Sequence, residues 1–391
     1  MHYLLMFANR ATVSVLLLLA AAGVSAAHAA PQQNDFPGVI VHQLPVPSLL
    51  QRITRQAVYT ASPSIAVLPD GAYLIACNDF GHGSTAATSG VTYLYRSDDR
   101  GASWQLIATL IDMKRGSLWL HPDGSLYLLG YRAAPGDILI RRSVDGGHTW
   151  TEPHDTSTGL LRRGTFGGTP HRPAIHDERI CFAIGGRRMI SAPLEADLLQ
   201  ADSWTLTPAA RIRGGPLGED LTITEAQIVA TDTIRPVLLP KVGGHPYTVL
   251  IRSSDSTEEV REPAIEDWVA LPGGEKKFAA AWDPVSGYFI ALTNPVLPEY
   301  ADSGWPSELI RNVGALLYSE DLREWQMAHI FIQSPHVDYE AFQYFSFDFD
   351  GDDLVIASRT ALHIENRKPP RGHDSNLITF HRIADFRALL Q

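Results

Sequence analysis

Two short segments of the chain carry residue types suited to acid–base chemistry. Glu225 stands directly before the apolar run 226–230, so a strand beginning there places its carboxylate at the strand end. The polar, glycine-flanked loop 78–83 offers Asp79 and His82 as proton donors. Hydrolysis of a glycosidic bond needs two carboxyl groups, or a tyrosine–glutamate pair plus an acid. Elimination beside a uronate needs His or Tyr near Arg, and the sequence does not decide between the two reactions.

A second set of residues suits the capture of a carboxylate. Five arginines lie just before a predicted first strand or between a second and a third strand: Arg115, Arg132, Arg172, Arg311 and Arg359. Arginine binds carboxylates through paired hydrogen bonds, and Asn78 is expected to bind the same substrate. The formal net charge of −11 argues against nucleic acid as a partner. A local arginine cluster still fits an acidic poly- or oligosaccharide.

A repeated all-β unit positions these residues. Its best copies, residues 64–76 and 117–130, each place Asp-Gly between two apolar strands, a strong hairpin signal. Looser copies begin at Pro173, Gln227, Lys277 and Tyr344. A third apolar strand follows each hairpin and ends at Ser97, Ser143, Ser191, Ser253 and Ser319 or covers residues 375–382. Six units predict an all-β, six-bladed β-propeller, with seven blades as an alternative, and residues 39–41 as a closing strand.

The residues before the repeat have the pattern of an export signal. Arg10 precedes an apolar run at 11–24, and Ala27-His28-Ala29 matches a cleavage site. The sequence predicts a signal peptide at 1–29, a single β-propeller catalytic domain at 30–391, and a secreted or periplasmic location. No membrane partner is expected, because no later run is long and apolar enough to span a bilayer. We expect a monomer.

The remaining polar clusters predict no cofactor. No group of His, Cys and Asp has the spacing of metal ligands. The aspartates near the last hairpin favour a turn, with a structural calcium ion as the alternative: Asp348, Asp350, Asp352 and Asp353. Cys77 and Cys181 are expected to be buried free thiols.

Two segments resemble the Asp-box, S-x-D-x-G-x-T-W, of sialidase-like propellers. Their matching residues are Ser97, Asp99 and Trp104 in the first copy and Ser143, Asp145 and Trp150 in the second. Residues 319–325 are a degenerate third copy. The resemblance implies a structural role, in which the aspartate binds turn amides and the tryptophan packs between blades. It covers nearly the whole mature chain.

The segment around Glu225 is similar to the N-E-x-Q-V-V segment of sialidases. The resemblance implies that Glu225 activates a tyrosine nucleophile of the last blade, Tyr344 or Tyr339. It also implies that an acidic residue of the first blade, here Asp79, is the general acid. Sialidases carry a carboxylate-binding arginine in an R-I-P-S segment, but Ala61 stands at that place. This departure makes exo-sialidase the alternative and not the first choice.

A broader resemblance is to secreted sialidase-like propellers related to enzymes that remove terminal L-rhamnose from glucuronate, by hydrolysis or β-elimination. It is carried by residues 62–71, 273–278, 341–344, 358–361 and 373–386. Such enzymes rely on a first-blade histidine, where this sequence has Asn78 and, four residues on, His82. We expect an enzyme that removes a terminal non-reducing sugar from an acidic glycan, preferably L-rhamnose on glucuronate. A non-catalytic glycan-binding propeller is the alternative from another class.

Overall fold

The predicted hairpins form antiparallel sheets in a computed structural model. It describes residues 38–84, 90–134, 136–213, 215, 216, 218, 221–254, 258–364 and 367–390, so the signal peptide predicted at 1–29 lies outside the described residues. From residue 37 onward the chain forms one compact unit. The described helices are short: α1 (Leu49–Ile53), α2 (Pro298–Ala301) and 3-10 turns at Ala201–Ser203, Ile265–Asp267, Ser307–Leu309 and Phe386–Leu389. Over these ranges no helix is long and apolar enough to cross a membrane.

The first three sheets follow one another along the chain, each with antiparallel neighbours. Sheet 1 contains β2 (Tyr59–Thr60), β3 (Ser64–Val67), β4 (Tyr73–Phe80), β5 (Thr92–Ser97) and β6 (Gln105–Leu110). Sheet 2 contains β7 (Lys114–Leu120), β8 (Leu126–Tyr131), β9 (Ile138–Ser143) and β10 (Leu160–Arg162). Sheet 3 contains β11 (Ala174–His176), β12 (Arg179–Ile184), β13 (Arg188–Pro193) and β14 (Thr205–Leu206).

The second half repeats this arrangement with one variation. Sheet 4 contains β15 (Ile223–Val229), β16 (Val237–Val242) and β18 (Ile251–Arg252), and beside it β17 (Tyr247–Val249) pairs with β19 (Trp268–Ala270). Sheet 5 contains β20 (Ala279–Asp283), β21 (Tyr288–Thr293), β22 (Val313–Ser319) and β23 (Gln326–Gln333). Sheet 6 contains β24 (Ala341–Asp350), β25 (Asp353–Ala361), β26 (Leu377–Ile383) and β1 (Val39–Gln43). The N-terminal segment predicted to supply a last strand is β1, and it pairs with β26.

The first strands of neighbouring sheets lie against one another. The Leu118 amide of β7 donates to Ser64 Oγ of β3 at 2.9 Å, and the Ile65 amide donates to Ser346 Oγ of β24 at 3.2 Å. Farther along the chain, β15 packs against β12 and β20, and β20 packs against β24. Apolar side chains fill the space between neighbouring sheets and hold the sheets together. The starts of the first strands, with their polar residues, therefore lie near one another.

Two turns between third and fourth strands share one hydrogen-bond pattern. Asp99 Oδ1 accepts from Ser97 Oγ and from the Ser103 amide, both at 2.8 Å, and Trp104 Nε1 donates to the Gly101 carbonyl. The second turn repeats these bonds with Ser143, Asp145, Thr149, Trp150 and Gly147. Gly101 has φ +94°, and a Cβ there would lie 2.2 Å from the Phe380 ring. This backbone position therefore requires glycine.

The four aspartates considered for calcium face arginines. Arg172 pairs with Asp348, Arg382 with both Asp350 and Asp353, and Arg387 with Asp352. Among the described residues no group of three His, Cys, Asp or Glu side chains could hold a metal ion. Guanidinium groups at these carboxylates do not fit a calcium site, which needs oxygen ligands free to face the cation.

Candidate active site

Three first strands begin with the same irregularity. The pairing of β7 with β8, β15 with β16 and β24 with β25 is interrupted at 114–117, 224–227 and 343–346. Within these bulges Arg115, Glu225 and Tyr344 have φ of 56°, 54° and 52°. Such left-handed conformations cost non-glycine residues about 1–3 kcal/mol and cluster at functional sites. Bulges also redirect side chains beside active sites, so the three residues are candidates for catalysis or binding.

The Glu225 carboxylate lies in a cationic environment. Its Oε2 accepts a hydrogen bond from Lys241 Nζ at 2.8 Å, and both side chains are largely buried. Burial by itself would raise the pKa of this carboxyl. The positive charges of Lys241, Arg311 and Arg115 outweigh burial and hold the pKa below its ordinary value. Glu225 is therefore ionised at neutral pH, the state that suits a base or a nucleophile and not a proton donor.

Two buried arginines flank the Tyr344 ring. The guanidinium carbons of Arg311 and Arg359 lie 5.5 and 5.2 Å from its centroid. Arg311 donates to Gln343 Oε1 at 2.8 Å, and Arg359 Nη2 donates to the His373 carbonyl at 2.6 Å. Within the described residues the buried Nε of Arg359 has no hydrogen-bond partner. Burial lowers the pKa of Arg359 to about 10, so it stays cationic at neutral pH and retains a donor for an anionic ligand.

The loop before β26 adds an acid–base pair to which the sequence assigned no catalytic or binding role. His373 Nδ1 lies 3.0 Å from Asp374 Oδ1, and Arg371 Nε lies 3.0 Å from Asp374 Oδ2. Burial is the largest influence on His373 and lowers its pKa to about 4, so the ring is neutral at pH 7. In the sequence both residues begin the segment 373–386 that carries the broader resemblance.

The residues described so far form one group, which we call the Glu225 cluster: Arg115, Glu225, Arg311, Tyr344, Arg359, His373 and Asp374. A cavity of about 420 Å³ opens beside this cluster. Its walls include Asp79, His82, Arg115 and Asp374, which brings both predicted proton donors to one cavity. Asp79 is 5% exposed, whereas His82 is exposed. The volume lies in the range typical of small-molecule sites, about 300–1,000 Å³.

Asn78, predicted to bind substrate, is held inside the protein. Its Oδ1 accepts from the Arg115 amide at 2.7 Å, and its Nδ2 donates to the Val91 carbonyl at 2.5 Å and to Thr92 Oγ1 at 2.9 Å. The side chain lines the cavity but fixes the backbone of the Arg115 bulge. The structure thus places Asn78 as a residue that positions Arg115.

Lys277 holds the third bulge in a comparable way. Its Nζ donates to the Phe345 carbonyl at 2.6 Å, directly after Tyr344. The amine is buried, and burial lowers its pKa to about 7. Lys277 lies two residues before the start of β20. Arg115 likewise lies two residues before Ser117, where the regular pairing of β7 with β8 resumes. The segment before a fourth first strand therefore places an amine beside Tyr344, and this amine is only partly protonated at neutral pH.

The structure does not bring Arg132 and Arg172 to this cluster. Arg132 pairs with Asp112 at 2.7 Å and with Asp137 at 3.3 Å, so two carboxylates already balance its charge. Arg172 lines a different cavity, of about 440 Å³, where it pairs with Asp348 and lies over the Phe349 ring. Both arginines were grouped with the others from their places in the sequence. An ion pair such as Arg172–Asp348, between residues far apart in the chain, leaves no local signal in the sequence.

The arrangement divides the chemistry among separate groups. Glu225 offers a carboxylate that is ionised at neutral pH, and Tyr344 offers a hydroxyl on a ring that two guanidinium groups approach. Arg311 and Arg359 offer positive charge for a carboxylate. Asp79 and His82 on the cavity wall are side chains of the kind that donate protons.

Comparisons with solved structures agree with this description of the fold. An α-L-arabinofuranosidase from Fusarium graminearum, solved with arabinobiose, has a TM-score of 0.59 and 12% identity, covering 91% of this chain and 99% of that chain. A sialidase from Streptococcus pneumoniae has a TM-score of 0.60 and 12% identity, covering 92% of this chain and 72% of that chain. An α-L-arabinanase from Penicillium chrysogenum, also solved with arabinobiose, has a TM-score of 0.52 and 16% identity, covering 90% and 98%.

No family model and no curated protein matches the chain. At 12–16% identity the structural likeness concerns the fold alone. The chain is an all-β protein with antiparallel sheets and shares the fold of β-propeller glycosidases.

Proposed function

We propose that this protein is a secreted glycoside hydrolase that removes a terminal sugar from an acidic glycan. The observation that carries the proposal is the convergence of the bulged residues Glu225 and Tyr344 with Arg311 and Arg359. The left-handed bulges occupy corresponding places near the starts of three first strands. They direct a carboxylate, a phenol and cations toward one site.

The scaffold of the proposal is a six-bladed propeller with Asp-box turns. Hydrogen bonds and packing between neighbouring sheets run from β24 to β3 and from β3 to β7, and from β12 through β15 and β20 to β24, an order that favours a closed ring of six sheets. The matching bonds of Asp99 and Asp145 favour the Asp-box interpretation. The similar architecture of arabinose-acting enzymes and sialidases supports a carbohydrate substrate.

In the proposed mechanism Glu225 accepts the phenolic proton of Tyr344 as the phenol oxygen attacks the anomeric carbon. The glycosidic bond breaks, and Asp79 or His82 donates a proton to the leaving oxygen. Water then attacks the anomeric carbon of the glycosyl–tyrosine intermediate, and the same donor, now a base, takes the proton of that water. The departing Tyr344 oxygen recovers its proton from Glu225, which restores the free enzyme. We favour hydrolysis over β-elimination because a carboxylate, a phenol and a separate proton donor are the groups that this hydrolysis uses, whereas elimination would use only a base for the C5 proton.

For the substrate we propose L-rhamnose linked to glucuronate, with exo-sialidase as the alternative. Ala61 stands where sialidases carry an arginine, and it lines the cavity, so the missing guanidinium leaves open space in the cavity wall. That difference favours a terminal sugar without its own carboxylate. The acidic group recognised by Arg311 and Arg359 then belongs to the adjoining sugar.

The test compares the mature protein with Glu225→Gln and with Glu320→Gln, an exposed glutamate that serves as a matched control. Each is incubated with rhamnosyl-glucuronate oligosaccharides and sialosides while released sugar and unsaturated-uronate absorbance are followed. Released rhamnose without absorbance, abolished only by Glu225→Gln, is the expected result. Rising absorbance would replace hydrolysis with elimination. Retained binding without product would leave a glycan-binding propeller.

A further inference from the structure

The outer wall of the 420 Å³ cavity is strongly cationic for a chain with net charge −11. Five of its lining side chains are arginine or lysine and two are aspartate. The inner member, Arg115, belongs to the cluster around Glu225. The outer members Arg52, Arg55 and Arg371 are exposed. This outer group, which we call the rim arginines, is not used by the proposed mechanism.

A capped helical turn displays two of the rim arginines. The Gln51 amide donates to Ser48 Oγ at 3.3 Å, and the Ser48 amide donates to Gln51 Oε1 at 2.9 Å, which fixes the start of α1. Arg52 and Arg55 are three residues apart, with Arg55 just beyond the turn at φ 57°. Both line the cavity, so a short, anchored element presents two cations to it.

The charges of the rim arginines are incompletely balanced. Arg371 pairs with Asp374, but within the described ranges neither Arg52 nor Arg55 forms an ion pair. Burial and Asp374 raise the pKa of Tyr59, while Arg52 and Arg371 act in the opposite direction, which places both cations near one wall of the cavity. Cations that outnumber the carboxylates at a cavity favour an anionic ligand.

The cavity has room for a second sugar. A cavity of roughly 150 Å³ holds one six-membered ring, and this cavity measures about 420 Å³. A terminal sugar at the Glu225 cluster directs the rest of its glycan outward past the rim arginines. We propose that Arg52, Arg55 and Arg371 form an outer subsite that binds a further carboxylate of the glycan on its leaving-group side. This inference rests on the proposed function for the direction in which the glycan lies.

The test measures binding separately from catalysis. In the Glu225→Gln background, calorimetry compares a rhamnose-terminated oligosaccharide containing several glucuronates with the same oligosaccharide after its carboxylates are reduced to alcohols. Arg52→Ala/Arg55→Ala is matched by Arg163→Ala/Arg211→Ala, two exposed arginines that give the same change in net charge. The rim variant is expected to weaken binding of the acidic oligosaccharide about tenfold, with binding of the reduced one unchanged.

Two results would overturn the subsite. One is equal binding of the acidic oligosaccharide by the rim variant and its matched control. The other is an equal loss for acidic and reduced oligosaccharides, which would indicate a shape effect. Because binding is measured without turnover, a protein that hydrolyses nothing but still shows the carboxylate-dependent loss would retain the subsite while refuting the proposed function.

Discussion

The bulges at the strand starts and the turns at 97–104 and 143–150 are both repeated features, but they repeat in different ways. The turns repeat their residues as well as their bonds: Ser, Asp, Gly and Trp occupy the same places in both. The bulges repeat only their backbone, with Arg115, Glu225 and Tyr344 in the same left-handed conformation. Where the repeats of one chain keep the same residue types at a position, those residues have a structural role. Where the repeats keep the backbone conformation but carry different side chains, as at the bulges, the side chains are suited to binding a ligand or to catalysis.

The two features also differ in how fully their polar groups are satisfied. The turn aspartates accept hydrogen bonds from amides and hydroxyls of their own turns. Around the bulges, by contrast, buried polar atoms such as Arg359 Nε and Gln227 Nε2 lack partners within the described residues. Buried donors without partners are costly unless a ligand completes them. The comparison therefore favours a structural role for the turns and leads us to predict ligand binding at the bulges.

The largest expected effect follows from removing the phenol. Tyr344→Phe should lower kcat by about 10²–10⁴-fold, because the nucleophile is lost while the ring between the arginines remains. Tyr339→Phe is the matched control, since Tyr339 stacks on His336 instead. Steady-state kinetics on the released sugar check the prediction. A loss caused by Tyr339→Phe and not by Tyr344→Phe would exchange their roles.

Loss of a cluster arginine should act mainly on KM. Arg359→Met is expected to raise KM for an acidic glycan by about 10–100-fold, the value of a buried charged hydrogen bond. Arg172→Met should leave KM unchanged, because that guanidinium faces Asp348 in the other cavity. Equal effects of the two substitutions on KM would remove the distinction between the cavities.

The pH dependence of kcat/KM should report the Glu225–Lys241 pair. Cations hold the pKa of Glu225 below its ordinary value, so its activity as a base persists above that lowered pKa and is lost as pH falls through it. Lys241→Met removes the nearest cation and should move the acidic limb upward by about 1–3 pH units. An acidic limb that stays in place would show that another group controls it.

The smallest effect on activity is expected at the turns. Asp145→Ala should lower the free energy of unfolding by about 1–3 kcal/mol, because turn amides lose their acceptor, and should leave kcat unchanged. Asp321→Ala, in the looser third turn where Ser319 Oγ lies 3.2 Å from the carboxylate, should cost less. Denaturant unfolding and steady-state kinetics on the same samples check both. A large drop in kcat at unchanged stability would contradict the structural assignment.

The sequence could predict the hairpins because their order is local. Apolar alternation and Asp-Gly placed strands at residues 64–76 and 117–130, where the structure has β3–β4 and β7–β8. The bulge conformations were not predictable, since Arg115, Glu225 and Tyr344 are residues that rarely adopt positive φ. Helix α1 escaped notice because five residues are too few to display helical periodicity.

The site was predictable only in part for a related reason. An apolar run directly after it singled out Glu225, which the structure places inside β15 and not before a strand. Polar, glycine-flanked composition singled out Asp79 and His82, but the predicted loop was wrong for Asp79, which lies in β4 and pairs with Thr60. Which arginines gather depends on contacts between distant parts of the chain, such as Arg172 with Asp348 and Arg359 with the His373 carbonyl. The hydrogen bond between Asn78 and the Arg115 amide likewise joins two sheets. Such pairs become visible only in three dimensions.

The most direct test of the central claim is a crystal structure of Glu225→Gln with a rhamnosyl-glucuronate oligosaccharide bound. We predict the terminal sugar at the bulges, with its anomeric carbon facing the Tyr344 hydroxyl and the neighbouring carboxylate on Arg311 and Arg359. An oligosaccharide bound in the cavity of Arg172, or one that leaves the three bulged residues untouched, would contradict the account.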